Sequence, residues 1–137
     1  LLVVGWRGRV VWILRRTEDM LETLKKLEDQ LADPASEKDQ QPVYAKNVTR
    51  SIKPELLVVE GVCTHLGCSA VFRKDIAPAD LGADWLGGFF CPCHGSKFDL
   101  AGRVYKSVPA PTNLPVPPHA YLSENQLVIG SESKESV

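Results

Sequence analysis

Two short runs, Cys63-Thr64-His65-Leu66-Gly67-Cys68 and Cys91-Pro92-Cys93-His94-Gly95-Ser96, decide how this chain is read. Between them they hold all four cysteines of the 137-residue sequence and two of its three histidines. As patterns they are C-x-H-x-x-C and C-x-C-H-G-S. Six such residues placed by chance would scatter, so their gathering needs a chemical cause. Structural zinc takes four ligands, usually at C-x₂₋₄-C or H-x₃₋₅-H spacing. Here the Cys-to-His offsets are two and three, and there are two candidate ligands too many. A disulfide framework alone leaves the paired histidines without a purpose.

Outward from these runs the chain reads as mostly antiparallel β. Leu56–Glu60 is an apolar strand leading into the first run, Ser69–Phe72 is a short strand after it, and Gly87-Gly88-Phe89-Phe90 enters the second. Residues 73–84 between them are polar and irregular, with a helical turn near Pro78-Ala79-Asp80. Asp99-Leu100-Ala101-Gly102 reads as a turn and Arg103–Tyr105 as a strand. Ser123-Glu124-Asn125 is the turn of a last hairpin closing with Gln126–Ile129. Residues 109–118 hold five prolines and form a stiff extended loop, bracketed by Arg103–Tyr105 and Gln126–Ile129 as paired strands.

Toward the N-terminus, Leu1–Val4 and Val10–Leu14 are strand-like runs joined through Gly5-Trp6-Arg7-Gly8 as a hairpin. Thr17 stands where an N-cap belongs, with Glu18 and Asp19 in the first turn, where the helix dipole favours acids. Met20, Leu21, Leu24, Leu27 and Leu31 then recur at helical spacing until Asp33-Pro34. This is one amphipathic helix of about four turns, whose leucine stripe docks on the domain's own sheet. Ala35 to Lys46 reads as a polar surface loop, and 131–137 as a flexible polar tail. Trp6, Trp12 and Trp85 are expected as packing aromatics and His119 as a surface residue.

The length fits a single domain, 1–130, able to bury roughly two-thirds of its unfolded surface. Charged residues are 24% of the chain and the net charge is -1, which offers no electrostatic reason for nucleic acid as partner. No Gly-rich loop suited to phosphate joins a strand to a helix. No apolar run reaches the ~18 residues of a membrane span; Leu1 to Leu14 is broken by Arg7 and Arg9. The sequence opens without Met on strand-like residues, so a native N-terminus with an anchor or export signal is expected upstream.

The two cysteine–histidine runs match, letter for letter, the loops C-T-H-L-G-C and C-P-C-H-G-S of the Rieske iron–sulfur family. The chain resembles that family from about Leu56 to Ile129, and more loosely at Trp6-Arg7-Gly8. The resemblance implies a Rieske-type antiparallel β-sandwich with a small cluster-binding subdomain at about 61–111 and one helix inserted near the N-terminus. It implies one 2Fe–2S cluster, with Cys63 and Cys91 as thiolates on one iron and His65 and His94 on the other. Cys68 and Cys93 would form a disulfide joining the two loops. Such a bond closes a loop of about 26 residues, worth about 3.5 kcal/mol in the chain-entropy model. It persists in an oxidising compartment, the periplasm or its equivalent.

That ligand set has an electrostatic consequence. An all-ferric 2Fe–2S core carries +2, so two thiolates and two neutral imidazoles bring the centre to zero, where four thiolates would leave -2. An electron enters a neutral centre more easily than a dianion, and the potential rises. The outer ring nitrogens of His65 and His94 carry protons made more acidic by ferric iron, coupling reduction to proton uptake. By the same resemblance Ser96 donates to a bridging sulfide and raises the potential. Where high-potential members often have a Tyr bonding a ligating cysteine, this chain has Phe98 and lacks that donor. Leu66 stands where the family exposes an apolar side chain near the cluster, and Pro109-Ala110-Pro111 matches its proline loop.

The resemblance is to the Rieske subunits of cytochrome bc complexes. It implies electron transfer from quinol to a c-type cytochrome, with cytochromes b and c₁ as partners and His65 and His94 as the catalytic pair that meets quinol. It also implies anchorage at the periplasmic face of a bacterial inner membrane through an N-terminal helix. Residues 73–84 depart from the shorter links common in the family and suggest a bacterial subclass. Two other readings stay open: an exported Rieske subunit of an arsenite-oxidase-like enzyme, and a low-potential Rieske ferredoxin or oxygenase component. Cys68 and Cys93 disfavour the second, since such carriers generally lack that pair.

Overall fold

A computed structural model of the chain describes residues 2–38, 40–62, 68, 70–76, 79–82, 85–93, 95–124 and 126–130. The described residues build three antiparallel sheets and one α-helix. The first sheet contains β1 (Leu2–Trp6), β2 (Arg9–Arg15) and β3 (Leu56–Glu60), in that order. The second contains β4 (Val71–Arg73), β5 (Gly88–Phe90) and β6 (Lys97–Phe98). The last is the hairpin of β7 (His119–Ser123) and β8 (Gln126–Ile129).

The first hairpin is tighter than the four-residue link expected. Trp6 pairs directly with Arg9, leaving only Arg7 and Gly8 in the turn, with φ of 51° and 75°. Positive φ at both positions is the primed turn whose twist matches that of its flanking strands, and glycine takes it without strain. Beyond it, β2 and β3 pair from Val11 with Glu60 to Arg15 with Leu56. The far edge of β3 is covered by the proline-rich segment, where the Glu60 N–H donates to Pro115 O at 2.8 Å.

The helix α1 (Glu18–Lys26) starts as its sequence requires: Thr17 Oγ1 accepts from the Met20 N–H at 3.2 Å, and Glu18 and Asp19 fill the first turn. It is shorter than the leucine pattern. The continuation is a 3₁₀ turn, Glu28–Gln30. Helix C-terminal carbonyls lack intrahelical partners, and the buried Arg103 Nη2 donates to Leu24 O at 2.7 Å, supplying one such partner and a cation at the negative end of the dipole. The leucine stripe still docks inward. Leu24 enters the main core with Trp12, Leu14, Leu57, Val59, Phe89 and Phe98, while Leu27 and Leu31 pack with Leu81, Trp85 and Tyr105.

Several expectations need correction. Arg103–Tyr105 is not a strand: Val104 and Tyr105 make only isolated bridges, to Phe98 and Leu31. Side chains take the N–H groups a ladder would use, Asp99 Oδ1 accepting from Arg103 N at 2.8 Å and Asn113 Oδ1 from Val104 N at 2.8 Å. Gln126–Ile129 pairs instead with β7, so the proline segment is not bracketed by partner strands. The early strand after the first cysteine run lies at Val71–Arg73, with Ser69 outside the described residues. Ala79 and Asp80 lie in a turn, and Pro78 is likewise outside. The loop from Ala35 to Lys46 is not wholly superficial, since Ser36 and Ala45 are fully buried and Val43–Ala45 forms a 3₁₀ turn. The polar tail 131–137 lies outside the described residues. Trp12 and Trp85 pack in the core as expected, and Trp6 is half-buried.

His119 is the sharpest correction, for it is completely buried. Its ring stands edge-on to Tyr44 and Tyr121, with centroids 5.7 and 6.3 Å away. Nδ1 lies 2.8 Å from Pro117 O, and a carbonyl can only accept, so Nδ1 carries the proton. Nε2 has no hydrogen-bond partner among the described residues. Burial lowers the His119 pKa, only partly opposed by the Pro117 carbonyl. The unfolded chain therefore binds the second ring proton, which makes the imidazole cationic, more readily. The stability His119 contributes is present above pH ~6.5 and lost as pH falls toward its folded value. Urea unfolding at pH 7.5 and 5.5 should show His119→Gln losing less stability on acidification than the parent. One proton sets a ceiling of about 1.4 kcal/mol per pH unit on the difference.

The turn Asp99–Gly102 is surrounded by buried charge. Arg103 Nε donates to Asp99 Oδ2 at 2.8 Å, with both side chains fully buried. Arg16 Nη1 donates to Leu100 O at 3.0 Å, and Arg50 Nη1 to Ala101 O at 3.1 Å and Gly102 O at 3.3 Å. Burial pulls the Arg16 and Arg50 pKa values down to about 10 despite the nearby Asp99 charge, so both stay cationic at neutral pH. Asp99 is the buried carboxylate facing all three. Breaking a buried pair by deleting one partner costs about 3–5 kcal/mol, so Asp99→Ala should destabilise the fold by that amount in urea unfolding.

Candidate metal centre

Both cysteine–histidine runs lie in links that lead into the second sheet: residues 61–70 join β3 of the first sheet to β4, and residues 91–96 join β5 to β6. Each link is pinched at its base by main-chain hydrogen bonds. Ala70 N donates to Gly61 O at 3.0 Å, and Gly61 N donates back to Val10 O on β2 at 2.8 Å. In the second link Cys91 N donates to Ser96 O at 2.8 Å and Gly95 N to Cys91 O at 2.9 Å. Gly95 adopts φ of 81°, which lets so short a link turn back on itself.

Below these links lies an aromatic floor. Trp12 of β2 meets Phe89 of β5 edge-on at 5.1 Å between centroids, and Phe72 of β4 meets Phe89 at 5.6 Å. Gly61 sits against the indole so closely that a Cβ there would collide with Trp12 Nε1 and Cδ1. A side chain at position 61 would push the first link off this floor.

Cys68 and Cys93 form a disulfide between the two links, with Cα atoms 6.6 Å apart, as the motif comparison anticipated. Cys91 is buried and stays outside that bond, although its Sγ and the two disulfide sulfurs all lie within 4.8 Å of one another. Three sulfurs converge, and cysteine sulfur is a soft ligand type suited to iron. Cys63, His65, Leu66 and His94 lie outside the described residues. Of the candidate ligands, Cys91 is the one whose position is described. The donor chemistry here fits a cluster held partly by thiolate.

The remaining candidates are accounted for. Ser96 is fully buried, and its Oγ accepts from the Ala110 N–H at 2.9 Å. Phe98 is fully buried in the core and pairs across the sheet with Phe89. Pro109 leads into buried Ala110, so the proline loop does lie against the second link. That contact was missed in the sequence because a main-chain donor has no residue-type signature. The segment between β4 and β5 is organised by Arg73, which bonds Asp80 through Nη1 at 2.8 Å and Nη2 at 3.0 Å and Asp75 through Nη2 at 3.1 Å. Those bonds hold both carboxyls below their usual pKa.

Comparison with known proteins agrees with this geometry. The family model for the Rieske [2Fe-2S] domain matches residues 28–118. The chain is 58% identical over 132 residues to the ubiquinol-cytochrome c reductase iron-sulfur subunit of Allochromatium vinosum, covering 96% of this chain and 64% of that protein. It is 45% identical over 130 residues to the mitochondrial cytochrome b-c1 complex subunit Rieske-1 of Arabidopsis thaliana, covering 94% of this chain and 40% of that one. It is 43% identical to the corresponding Rieske subunit of Solanum tuberosum, again over 94% of this chain and 42% of the relative. The chain thus spans less than two-thirds of the length of these relatives. A matched family model across most of the chain, a disulfide between the two motif loops and a buried third cysteine beside it lead to one conclusion: the chain belongs to the Rieske [2Fe-2S] domain family, and its cofactor is one Rieske-type 2Fe–2S cluster.

Proposed function

We propose that this chain is the electron-carrying domain of a quinol–cytochrome c oxidoreductase of the cytochrome bc type. The observation that carries the reading is the Cys68–Cys93 disulfide beside Cys91, the feature that low-potential Rieske carriers generally lack. The 58% identity to a ubiquinol-cytochrome c reductase subunit supports it. In this reading Cys63 and Cys91 hold one iron, His65 and His94 hold the other, and the cluster-binding subdomain spans about 61–111. When bound, the cluster supplies one-electron chemistry at a centre of near-zero net charge, which favours reduction.

The chain's own residues set the rest. The outer imidazole nitrogens of His65 and His94 hold or release a proton as the centre changes charge; they would meet quinol and take its proton, while the bound cluster would take the electron. Ser96 offers its hydroxyl proton to the cluster and stabilises the more negative reduced state. Phe98 offers none, which holds the potential below that of relatives with a Tyr there. Leu66 is the apolar residue assigned to contact with the docking partner. The disulfide ties the two ligand-bearing links together and suits an oxidising compartment.

The partners in this reading are quinol, cytochrome b and cytochrome c₁, at the periplasmic face of a bacterial inner membrane. None of the helices among the described residues is long and apolar enough to cross a membrane. An exported arsenite-oxidase-like subunit is the second reading, favoured by the same disulfide.

Electron paramagnetic resonance tests the proposal. Ascorbate alone should produce a Rieske-type signal; a signal seen only after dithionite would move the chain to the low-potential carriers and overturn the quinol reading. Phe98→Tyr should raise the midpoint potential by adding a hydroxyl donor, measured by redox titration. An unchanged or lower value would remove the role assigned to Phe98.

A further inference from the structure

Ala110 lies between Pro109 and Pro111, so it is the single residue of that run with a main-chain N–H. That N–H is spent on Ser96 Oγ, at 2.9 Å, with both residues buried. A serine hydroxyl has one proton and two lone pairs. With a lone pair engaged by Ala110, and no acceptor for the proton among the described residues, the hydroxyl is set to donate. The main chain of Ser96 is pinned as well, since its carbonyl takes the Cys91 N–H at 2.8 Å. Ser96 is thus held at one end by a candidate ligand and at the other by the proline loop.

We propose that the Ala110 main-chain N–H is a positioning group for Ser96, setting the direction and strength of the hydrogen bond that Ser96 donates to the cluster. The inference rests on the cluster reading above and adds to it a dependence of potential on the proline loop. A donor feeding a hydroxyl polarises it, so the amide, the hydroxyl and the final acceptor strengthen one another in series. A shift of residues 109–111 that breaks the Ala110–Ser96 contact frees the hydroxyl to rotate and weakens its donation, and the potential falls. Burial alone also demands a partner for the Ala110 N–H, and that purely structural role makes no such demand on the potential.

The test is a double-mutant cycle on the cluster-loaded protein, read as midpoint potential: parent, Ser96→Ala, Ala110→Pro and the double variant. Ala110 already precedes a proline and follows one, so a further proline keeps the extended backbone while deleting the N–H. Ser96→Ala should lower the potential. Ala110→Pro should lower it by part of that amount in the parent and by nothing further in the Ser96→Ala background. Ala110→Ser, which keeps the N–H, should leave the potential at the parent value.

A drop with Ser96→Ala but none with Ala110→Pro overturns the positioning role while leaving Ser96 as a donor. Equal shifts from Ala110→Pro in both backgrounds overturn it too, because Ala110 would then act by another route. If Ser96→Ala itself leaves the potential unchanged, the reading of Ser96 has failed and the positioning role falls with it. Should Ala110→Pro not retain iron, an ester in place of the Ala110 amide removes the same proton without the ring, and the same criteria apply.

Discussion

Four charged side chains, Arg16, Arg50, Asp99 and Arg103, are buried around the turn Asp99–Gly102, and the rest of the packing converges on them. Three guanidinium groups around one carboxylate would be untenable in an apolar interior if charge pairing were the only compensation. The compensation is instead main-chain carbonyls. Arg16 reaches Pro54, Thr49 and Leu100, Arg50 reaches Ala101 and Gly102, and Arg103 reaches Leu24 and Pro34. Each arginine thereby ties a loop or a helix end to the turn that follows β6. Asp99 completes the arrangement by accepting from Ala101 N and Arg103 N with one oxygen and from the Arg103 side chain with the other.

The consequence reaches the metal centre through a short path. β6 ends at Phe98, one residue before this turn, and begins one residue after Ser96. The turn holds the end of β6, and the Phe89–Trp12 contact holds β5, so the strands on both sides of the link 91–96 are braced. The first link is seated on the same floor through Gly61 and Trp12, and the disulfide joins the two from above. Cluster ligands need positions reproducible to a fraction of an ångström, and rigid strands under both links provide that better than loops alone. With the ligands on these two links, as proposed, a small sheet braced by a larger core meets that requirement.

Much of this was legible beforehand for a chemical reason. Metal binding uses particular side chains at particular spacings, so the two motifs and the Cys68–Cys93 pairing implied by their resemblance could be written down from letters alone. The β3 strand, the last hairpin and the leucine stripe followed from periodicity. What stayed hidden depended on partners distant in sequence. His119 looked like a surface residue because nothing near it in the chain announces Tyr44 or Tyr121 as its walls. Val104 looked like strand, yet the Asn113 and Asp99 side chains took over the hydrogen bonds of a ladder.

The amino-acid sequence by itself determined the family, the cofactor class and the predominance of antiparallel strands, because those rest on local patterns and on which atoms can bind iron. Tertiary structure alone decided that three arginines would be interior and that α1 would span nine residues, with Arg103 on its Leu24 carbonyl. It also decided that the one amide of Pro109–Pro111 would meet Ser96. A buried charge or a main-chain donor carries no preference of its own for a partner. Only the folded arrangement of carbonyls and hydroxyls around it says whether it is satisfied, and by what.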